Sequence, residues 1–98
     1  MKSFNERCYT LLRQVPRGKV TTYKSLAEAL GTRAFRAVGK AMNKNPYALR
    51  VPCHRVVGSD GSLVGFASGL KKKTSMLERE GVIIDKGKID LEKYEYKF

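Results

Sequence analysis

The sequence predicts a single, mostly α-helical domain with a small β-hairpin, organised like a winged helix-turn-helix. Its 98 residues suffice for one modest hydrophobic core but not for two. Apolar residues recur at helical spacing in several segments of the chain. Gly31 separates two of these segments, as the tight turn of a helix-turn-helix requires.

A first helix is predicted over residues 4–15, where apolar side chains recur every three or four positions. Its apolar face consists of Phe4, Cys8, Leu11, Leu12 and Val15. Pro16 and Gly18 end the helix, because proline cannot continue its hydrogen-bond pattern. Cys8 lies on the apolar face, so we interpret it as a small core residue and not as a reactive thiol.

A second helix is predicted from Thr22, the expected N-cap, to about Leu30, and Gly31 follows it. Thr32 is the expected cap of a third helix over residues 33–43. At about 100° per residue this third helix has two faces. The basic face consists of Arg33, Arg36 and Lys40, and the apolar face consists of Phe35, Val38 and Met42. We expect the apolar face to pack on the domain and the basic face to point outward.

Asn45-Pro46 closes the third helix. Further along, residues 56–57, the turn at 58–61 and residues 62–64 predict a β-hairpin. Residues 65–69 then predict a loop of small side chains.

The last helix is predicted over residues 70–80, ended by Gly81. The lysine run at 71–73 is interpreted as solvated, with non-specific phosphate contacts at most. Residues 82–98 form a C-terminal extension, for which we expect a hairpin followed by a disordered end from Lys93.

The charge of the chain is concentrated in its first half. Lys and Arg number 20 against 9 Asp and Glu, which gives a net charge of +11. The segment from Arg13 to Arg55 contains ten basic residues, counting both ends, and Glu28 is its only acid. Such a surface attracts a polyanion, which favours a nucleic-acid partner over an anionic membrane or a role in solubility alone.

Several kinds of protein are disfavoured by what the sequence lacks. No apolar run approaches the ~20 residues of a membrane-spanning helix, and the first residues lack the apolar stretch of a signal peptide. Two cysteines do not make a disulfide framework, and one histidine with two cysteines does not match structural zinc spacing. We therefore expect an intracellular protein, cytoplasmic or nuclear, with no metal, no cofactor and no membrane partner.

Cys53 is the candidate nucleophile. It follows Pro52, which fixes the chain direction, and lies beside His54, Arg50 and Arg55. Positive neighbours raise the thiolate fraction of a thiol. Adjacent residues of an extended strand point to opposite sides, so Cys53 and His54 can cooperate only on a bend or through a water molecule. The alternative interpretation is a buried structural cysteine.

The run Pro-Cys-His-Arg-Val at 52–56, preceded by Arg-Ala-Val-Gly at 36–39 and by Asn45-Pro46, resembles the O6-alkylguanine-DNA alkyltransferase family, the methylated-DNA–protein-cysteine methyltransferases. The resemblance runs from about Phe4 to Gly81. It also includes Thr22-Tyr23, Leu26-Ala27, Gly69-Leu70 and Glu80-Gly81. It implies a minimal form of the family, a single catalytic and DNA-binding domain over residues 1–98.

The resemblance implies that Cys53 takes the alkyl group from O6 of a damaged guanine, once per molecule. His54 would accept the cysteine proton through a water molecule, and Glu80 would orient His54. Asn45 would hold the bend that carries Cys53, and Arg55 would be structural or would tie the site together. The residues alone leave open a surface acid at Glu80 and a simple turn former at Asn45.

The partner implied by the resemblance is double-stranded DNA containing O6-alkylguanine, bound by a monomer with the damaged nucleotide turned out of the stack. Arg36 would fill the gap in the duplex, with Arg33 and Lys40 beside it on the basic face. Tyr23 would help to extrude the nucleotide. The alternatives without a role in DNA binding are a solvated basic face and a packing role for Tyr23.

Backbone groups near Val56 and Ala67 would read the guanine edge in this resemblance. Ser68 departs from the paired glycines that are frequent in relatives, and we expect it to narrow the pocket. Ser75 occupies a position where relatives often have tryptophan, which weakens the expected packing of the last helix.

Two other functions remain open. Alkyltransferase-like proteins are short relatives that bind the lesion without removing it and pass it to another repair pathway. They replace the cysteine, often by tryptophan, whereas this chain keeps Cys53. A winged-helix transcription factor with a redox-sensing thiol is the third interpretation, and it gives no reason for the match at Tyr23, Asn45 and Glu80.

Overall fold

The computed structural model describes residues 2–47, 50–63 and 69–98. Its elements in chain order are α1 (Phe4–Leu12), β1 (Thr21–Thr22), α2 (Tyr23–Ala29), α3 (Phe35–Asn43), a 3₁₀ turn (Cys53–Arg55), β2 (Val56–Val57), α4 (Leu70–Arg79), β3 (Ile84–Asp85), β4 (Lys88–Ile89) and α5 (Leu91–Tyr94). The mostly helical fold class with a small hairpin is confirmed. The loop predicted at 65–69 lies outside the described residues except for Gly69.

Helix α1 is shorter than predicted, because it ends at Leu12 and not at Val15. The amides of Gln14 and Val15 bond to carbonyls three residues back, each at 3.0 Å, so the chain continues as a tighter turn. Val15 is nevertheless buried, as the apolar pattern predicts. Cys8 is also fully buried, which confirms its place in the core.

The predicted boundaries of the turn between α2 and α3 are confirmed for α2 but not for the start of α3. Thr22 Oγ1 accepts the Ser25 amide at 2.9 Å, which confirms the N-cap of α2, and Gly31 adopts the positive φ of +75° expected after a helix. Helix α3 begins at Phe35, two residues later than predicted. The reason is that Thr32 Oγ1 accepts the Ala34 amide at 3.1 Å and closes a turn there, which leaves Arg33 outside the helix.

The apolar face of α3 is only partly as predicted. Val38 and Met42 are buried, and Ala41 is buried with them and accepts a hydrogen bond from Tyr9 Oη at 2.7 Å. Phe35 is 44% exposed, so its predicted packing in the core is wrong. It lies in the first turn of α3, beside surface pockets that Lys24 also lines.

The predicted hairpin of residues 56–64 is wrong in its described part. Strand β2 pairs in parallel with β1, in the register Thr21↔Val56 and Thr22↔Val57. The turn at 58–61 forms, but Ser62 pairs with Lys88 instead. Both valines of β2 are fully buried, as is usual for a parallel strand between two packed layers.

The β1–β2 pair separates two clusters of buried side chains. The first is formed by α1, α2 and α3 with Val56, and the second by α4 and the C-terminal extension with Val57. Successive residues of a strand point to opposite faces, so the two adjacent valines belong to different clusters. The second cluster consists of Val20, Val57, Leu77, Val82, Ile89 and Tyr94.

The C-terminal part confirms two predictions and overturns one. Helix α4 forms as predicted but ends at Arg79, one residue earlier than expected, and β3 and β4 form the terminal hairpin. The predicted disorder after Lys93 is wrong, because Val20 donates to Tyr94 O at 2.9 Å and accepts from the Tyr96 amide at 2.7 Å. Apolar burial of Tyr94 adds to these bonds and fixes the end of the chain.

Candidate functional site

The segment that carries Cys53 is held by a shared carbonyl. Val51 O accepts Asn45 Nδ2 at 2.9 Å and the Cys53 amide at 2.8 Å. Asn45 Oδ1 in turn accepts the Tyr47 amide at 2.9 Å. Asn45 therefore uses both ends of its side chain to fix the approach to the candidate nucleophile.

Cys53 lies on a bend and not on a strand. Pro52 has φ −79° and ψ 69°, a conformation typical of an inverse γ-turn, and the 3₁₀ turn Cys53–Arg55 follows it directly. The Arg55 amide closes this turn on Pro52 O at 2.9 Å. Cys53 is a free, half-buried cysteine, whereas burial raises the pKa of the Cys8 thiol above its usual value. Access to solvent thus distinguishes the two thiols.

Glu80 joins His54 and Arg55 in one buried network. Its Oε2 lies 2.9 Å from His54 Nε2 and accepts Arg55 Nη2 at 2.7 Å, while its Oε1 accepts Arg55 Nε at 2.9 Å. Arg55 Nη1 also donates to Val15 O at 2.9 Å. The side chains of His54 and Glu80 are 4% and 8% exposed. The C-terminus of α4 is thereby tied to the turn that carries Cys53.

The network favours an ionised Glu80 and a neutral His54. Burial raises the pKa of Glu80, but the hydrogen bonds from Arg55 and His54 outweigh it, and the net pKa is lowered. Burial lowers the pKa of His54 and exceeds the opposite effect of its hydrogen bond to Glu80. A neutral imidazole that donates from Nε2 to Glu80 carries its basic lone pair on Nδ1.

Lys73 is the largest departure from the predicted site. The predicted solvated run holds for Lys71 and Lys72, which are exposed, but Lys73 is fully buried and donates from Nζ to Val56 O. Burial lowers its pKa to about 8, and the charge of Cys53 acts in the opposite direction. A signal was present in the sequence, because Lys73 precedes Leu77 by one helical turn on the apolar face of α4.

Tyr23 lies on the same side of the domain as Cys53. It is the first residue of α2, it is half-buried, and it packs with Cys53 against the first apolar cluster. Burial raises the pKa of its hydroxyl, and the charge of Cys53 adds to the rise. The phenol therefore stays protonated and able to donate a hydrogen bond at neutral pH.

The basic face of the domain is exposed. We define it as Lys24 of α2, Arg33 before α3, and Arg36 and Lys40 of α3, all of which are exposed. Among the described residues, none of the four takes part in an ion pair. Glu28 lies beside Lys24 and Arg33, but with no ion pair to neutralise them the four cations give the positive potential that the sequence predicts for this half of the chain.

Of the remaining predicted site residues, the structure describes Val56 but not Ala67 or Ser68. Val56 lies in β2 directly after the turn that carries Cys53, and its carbonyl faces Lys73. Ala67 and Ser68 lie outside the described residues. In the ranges 2–47, 50–63 and 69–98 no group of three His, Cys, Asp or Glu side chains is placed to hold a metal ion. No helix there is long and apolar enough to cross a membrane.

Comparison with protein families gives one match over most of the chain. Residues 3–82 match the family described as the DNA-binding domain of 6-O-methylguanine DNA methyltransferase. A methylated-DNA–protein-cysteine methyltransferase of Methanosarcina barkeri is 49% identical over 78 residues, which is 79% of this chain and 49% of the relative. The chain thus spans about half the length of the curated relatives it matches.

Two solved structures show the same fold with different coverage. Atl1 of S. pombe, in complex with damaged DNA containing O6-carboxymethylguanine, is 31% identical with a TM-score of 0.87, and the match covers 100% of both chains. The OGT protein of Mycobacterium tuberculosis, in complex with DNA, is 40% identical with a TM-score of 0.77 over 82% of this chain and 50% of that one. The first match covers the whole chain and so includes the C-terminal extension that completes the second cluster.

Proposed function

Because the chain belongs to the family of the 6-O-methylguanine DNA methyltransferase DNA-binding domain, we propose that it repairs DNA by taking the alkyl group of O6-alkylguanine onto Cys53. The observation that carries the proposal is the half-buried free thiol on a fixed bend beside the His54–Glu80 pair. A nucleophile, a base and a group that orients the base are the parts that such chemistry requires. One domain would carry both the thiol and the DNA-binding face, inside the cell where DNA is found.

The proposed transfer is a single displacement. Cys53 Sγ forms a bond to the alkyl carbon while the bond from that carbon to guanine O6 breaks, and its electron pair stays on the base. His54 Nδ1 accepts the thiol proton through a water molecule, and the departing guanine takes up one proton in compensation. The thioether is stable and nothing regenerates the thiol, so each molecule reacts once.

The basic face supports the proposed encounter with DNA. A base inside a duplex is out of reach, so the damaged nucleotide must leave the stack, at a cost of a few kcal/mol. In this proposal Arg33 and Lys40 contact phosphates. Arg36 fills the position that the damaged nucleotide vacates in the duplex, and Tyr23 forms a hydrogen bond with the extruded nucleotide. Ala67 and Ser68 belong to the same proposal as parts of the base pocket.

A second candidate function is lesion binding without transfer. The match to Atl1 over the full length of both chains favours it, since that protein is seen bound to O6-carboxymethylguanine DNA. The retained Cys53, in a turn built around it, favours transfer.

The deciding measurement is the intact mass of the full chain after incubation with a duplex containing one O6-methylguanine. Transfer predicts a gain of one methylene per chain, located on the Cys53 peptide and saturating at one equivalent. Cys8→Ala should gain the same mass, because Cys8 is buried, and Cys53→Ala should gain none. Tight, lesion-selective binding with no mass gain would instead assign the protein to lesion recognition alone.

A further inference from the structure

Phe35 is a large apolar side chain without a place in the core. It is 44% exposed in the first turn of α3, although its spacing matches the buried Val38 and Met42. Exposure of an aromatic ring leaves favourable burial energy unused until a partner covers it.

Phe35 lines two surface pockets. A pocket of about 290 Å³ is lined by Tyr23, Lys24, Phe35 and Ser59. A second pocket of about 470 Å³ is lined by Lys24, Glu28, Gly31, Thr32, Arg33 and Phe35. Phe35 and Lys24 border both, so the ring projects between two hollows of the surface. The smaller pocket also borders Tyr23, which packs against the same apolar cluster as Cys53.

The charge around the ring fits a polyanion. Lys24 and Arg33 line the pockets, and Arg36 is the next residue along α3. Glu28 is the one acid among the lining residues, and it borders only the larger pocket. A phosphate is therefore favoured at the Lys24 end, near Tyr23, and an apolar group is favoured against the ring itself.

We propose that Phe35 is an apolar wedge that packs against the base step flanking the extruded nucleotide. This inference rests on the proposed function, since it needs a damaged duplex on the basic face. Apolar side chains that insert at a base step unstack it and bend the duplex, and aromatic rings stack on exposed bases. The cations around Phe35 hold the strand, and the ring occupies the step beside the vacated position.

Phe98 provides a matched control on another surface. It is 42% exposed, nearly the same as Phe35. Its ring already has a partner, Tyr96, in an edge-to-face contact with 5.3 Å between centroids. The one cation beside it in its pocket, Lys97, is paired with Glu95 at 3.0 Å. The described residues that line the pocket of Phe98 therefore do not favour a polyanion.

The test uses the full chain and a duplex with one O6-methylguanine next to 2-aminopurine, whose fluorescence rises when it unstacks. Binding of the parent protein should raise the fluorescence. In Phe35→Ala the rise should be largely lost and the affinity should fall about tenfold, the size of one base–aromatic stack. Phe35→Leu, which keeps an apolar group, should lose less, and Phe98→Ala should behave like the parent. The urea midpoint should be the same in all four proteins.

Three outcomes would overturn the wedge. Equal fluorescence and affinity for Phe35→Ala and Phe98→Ala would remove it, while alkylation of the parent would still support the proposed function. An equal loss of the transfer rate on duplex DNA and on free O6-alkylguanine base would place Phe35 in the base pocket or the fold instead. A parent that neither prefers the damaged duplex nor becomes alkylated would overturn the proposed function, and the wedge with it.

Discussion

Two regions of this domain carry charge in opposite ways. Around Glu80 the charged and titratable side chains are buried and paired, with the carboxylate bound by His54 and Arg55 and the Lys73 ammonium bound by a carbonyl. On the basic face the cations are exposed and have no ion pair among the described residues. The interior charges are needed to hold the fold around Cys53, whereas the surface charges contribute little until a polyanion neutralises them.

The difference has an energetic basis. Taking an ion out of water costs several kcal/mol, and only close partners offset that cost, so removal of one partner leaves an uncompensated charge. An exposed cation keeps its hydration, and its repulsion from neighbours is screened over about 8–10 Å at physiological salt. Substitutions in the two regions should therefore separate into losses of stability and losses of DNA binding.

The largest expected effect is that of Glu80→Gln. The change leaves the Arg55 guanidinium buried without its counter-charge, and we expect a loss of about 4 kcal/mol in the free energy of unfolding. Urea denaturation at pH 7 measures it. Glu78→Gln, at an exposed acid two positions earlier in α4, is the control and should stay within ~0.5 kcal/mol of the parent. A similar, small effect of both changes would contradict the division between the two regions.

Lys73→Met should show the next largest effect, as a change in pH dependence. The pKa of Lys73 is about 8 in the fold against 10.5 for an ordinary lysine, so between these values the unfolded chain binds more protons. Stability of the parent should therefore rise with pH over that window, by about 3 kcal/mol relative to the variant. Unfolding curves at pH 7.5 to 10.5 test this. In Lys72→Met, a change at an exposed neighbour, the stability should depend on pH in the same way as in the parent.

The smallest effect on the fold and the clearest effect on DNA should come from Arg36→Ala. We expect stability to stay within ~0.5 kcal/mol of the parent, because Arg36 is exposed. The transfer rate on damaged duplex should fall about tenfold more than the rate on free O6-alkylguanine base, which needs no extrusion. Single-turnover kinetics on both substrates measure the ratio, with Arg79→Ala as a basic control on α4. Equal losses on both substrates would remove Arg36 from nucleotide extrusion.

Local signals in the sequence predict much of the helical part. The apolar spacing of α1, the Thr22 cap and the glycines at 31 and 81 each depend on residues a few positions apart. The bend at Cys53 is indicated by Pro52 in the same way. These features need no knowledge of the rest of the fold.

The features that the sequence does not predict depend on distant partners. Strand β2 pairs with β1, 35 positions earlier, and no local pattern distinguishes this from a hairpin. Lys73 is buried because its ammonium group binds the Val56 carbonyl from α4, and Phe35 is exposed because its ring borders two surface pockets beside α2 and not the core. The end of the chain is ordered because Val20 forms two backbone hydrogen bonds with it and because Tyr94 is buried, and both depend on a segment more than 70 positions earlier.

The two adjacent valines of β2 couple the unfolding of the two buried clusters. Because Val56 belongs to one buried cluster and Val57 to the other, neither cluster can open without disturbing a strand that both share. Opening of this kind is cooperative, and amide hydrogen exchange reports it as a single large protected unit. The amides of β2 and of Tyr96 should therefore exchange with solvent at the rate of global unfolding, so the smallest unit that unfolds is the whole domain.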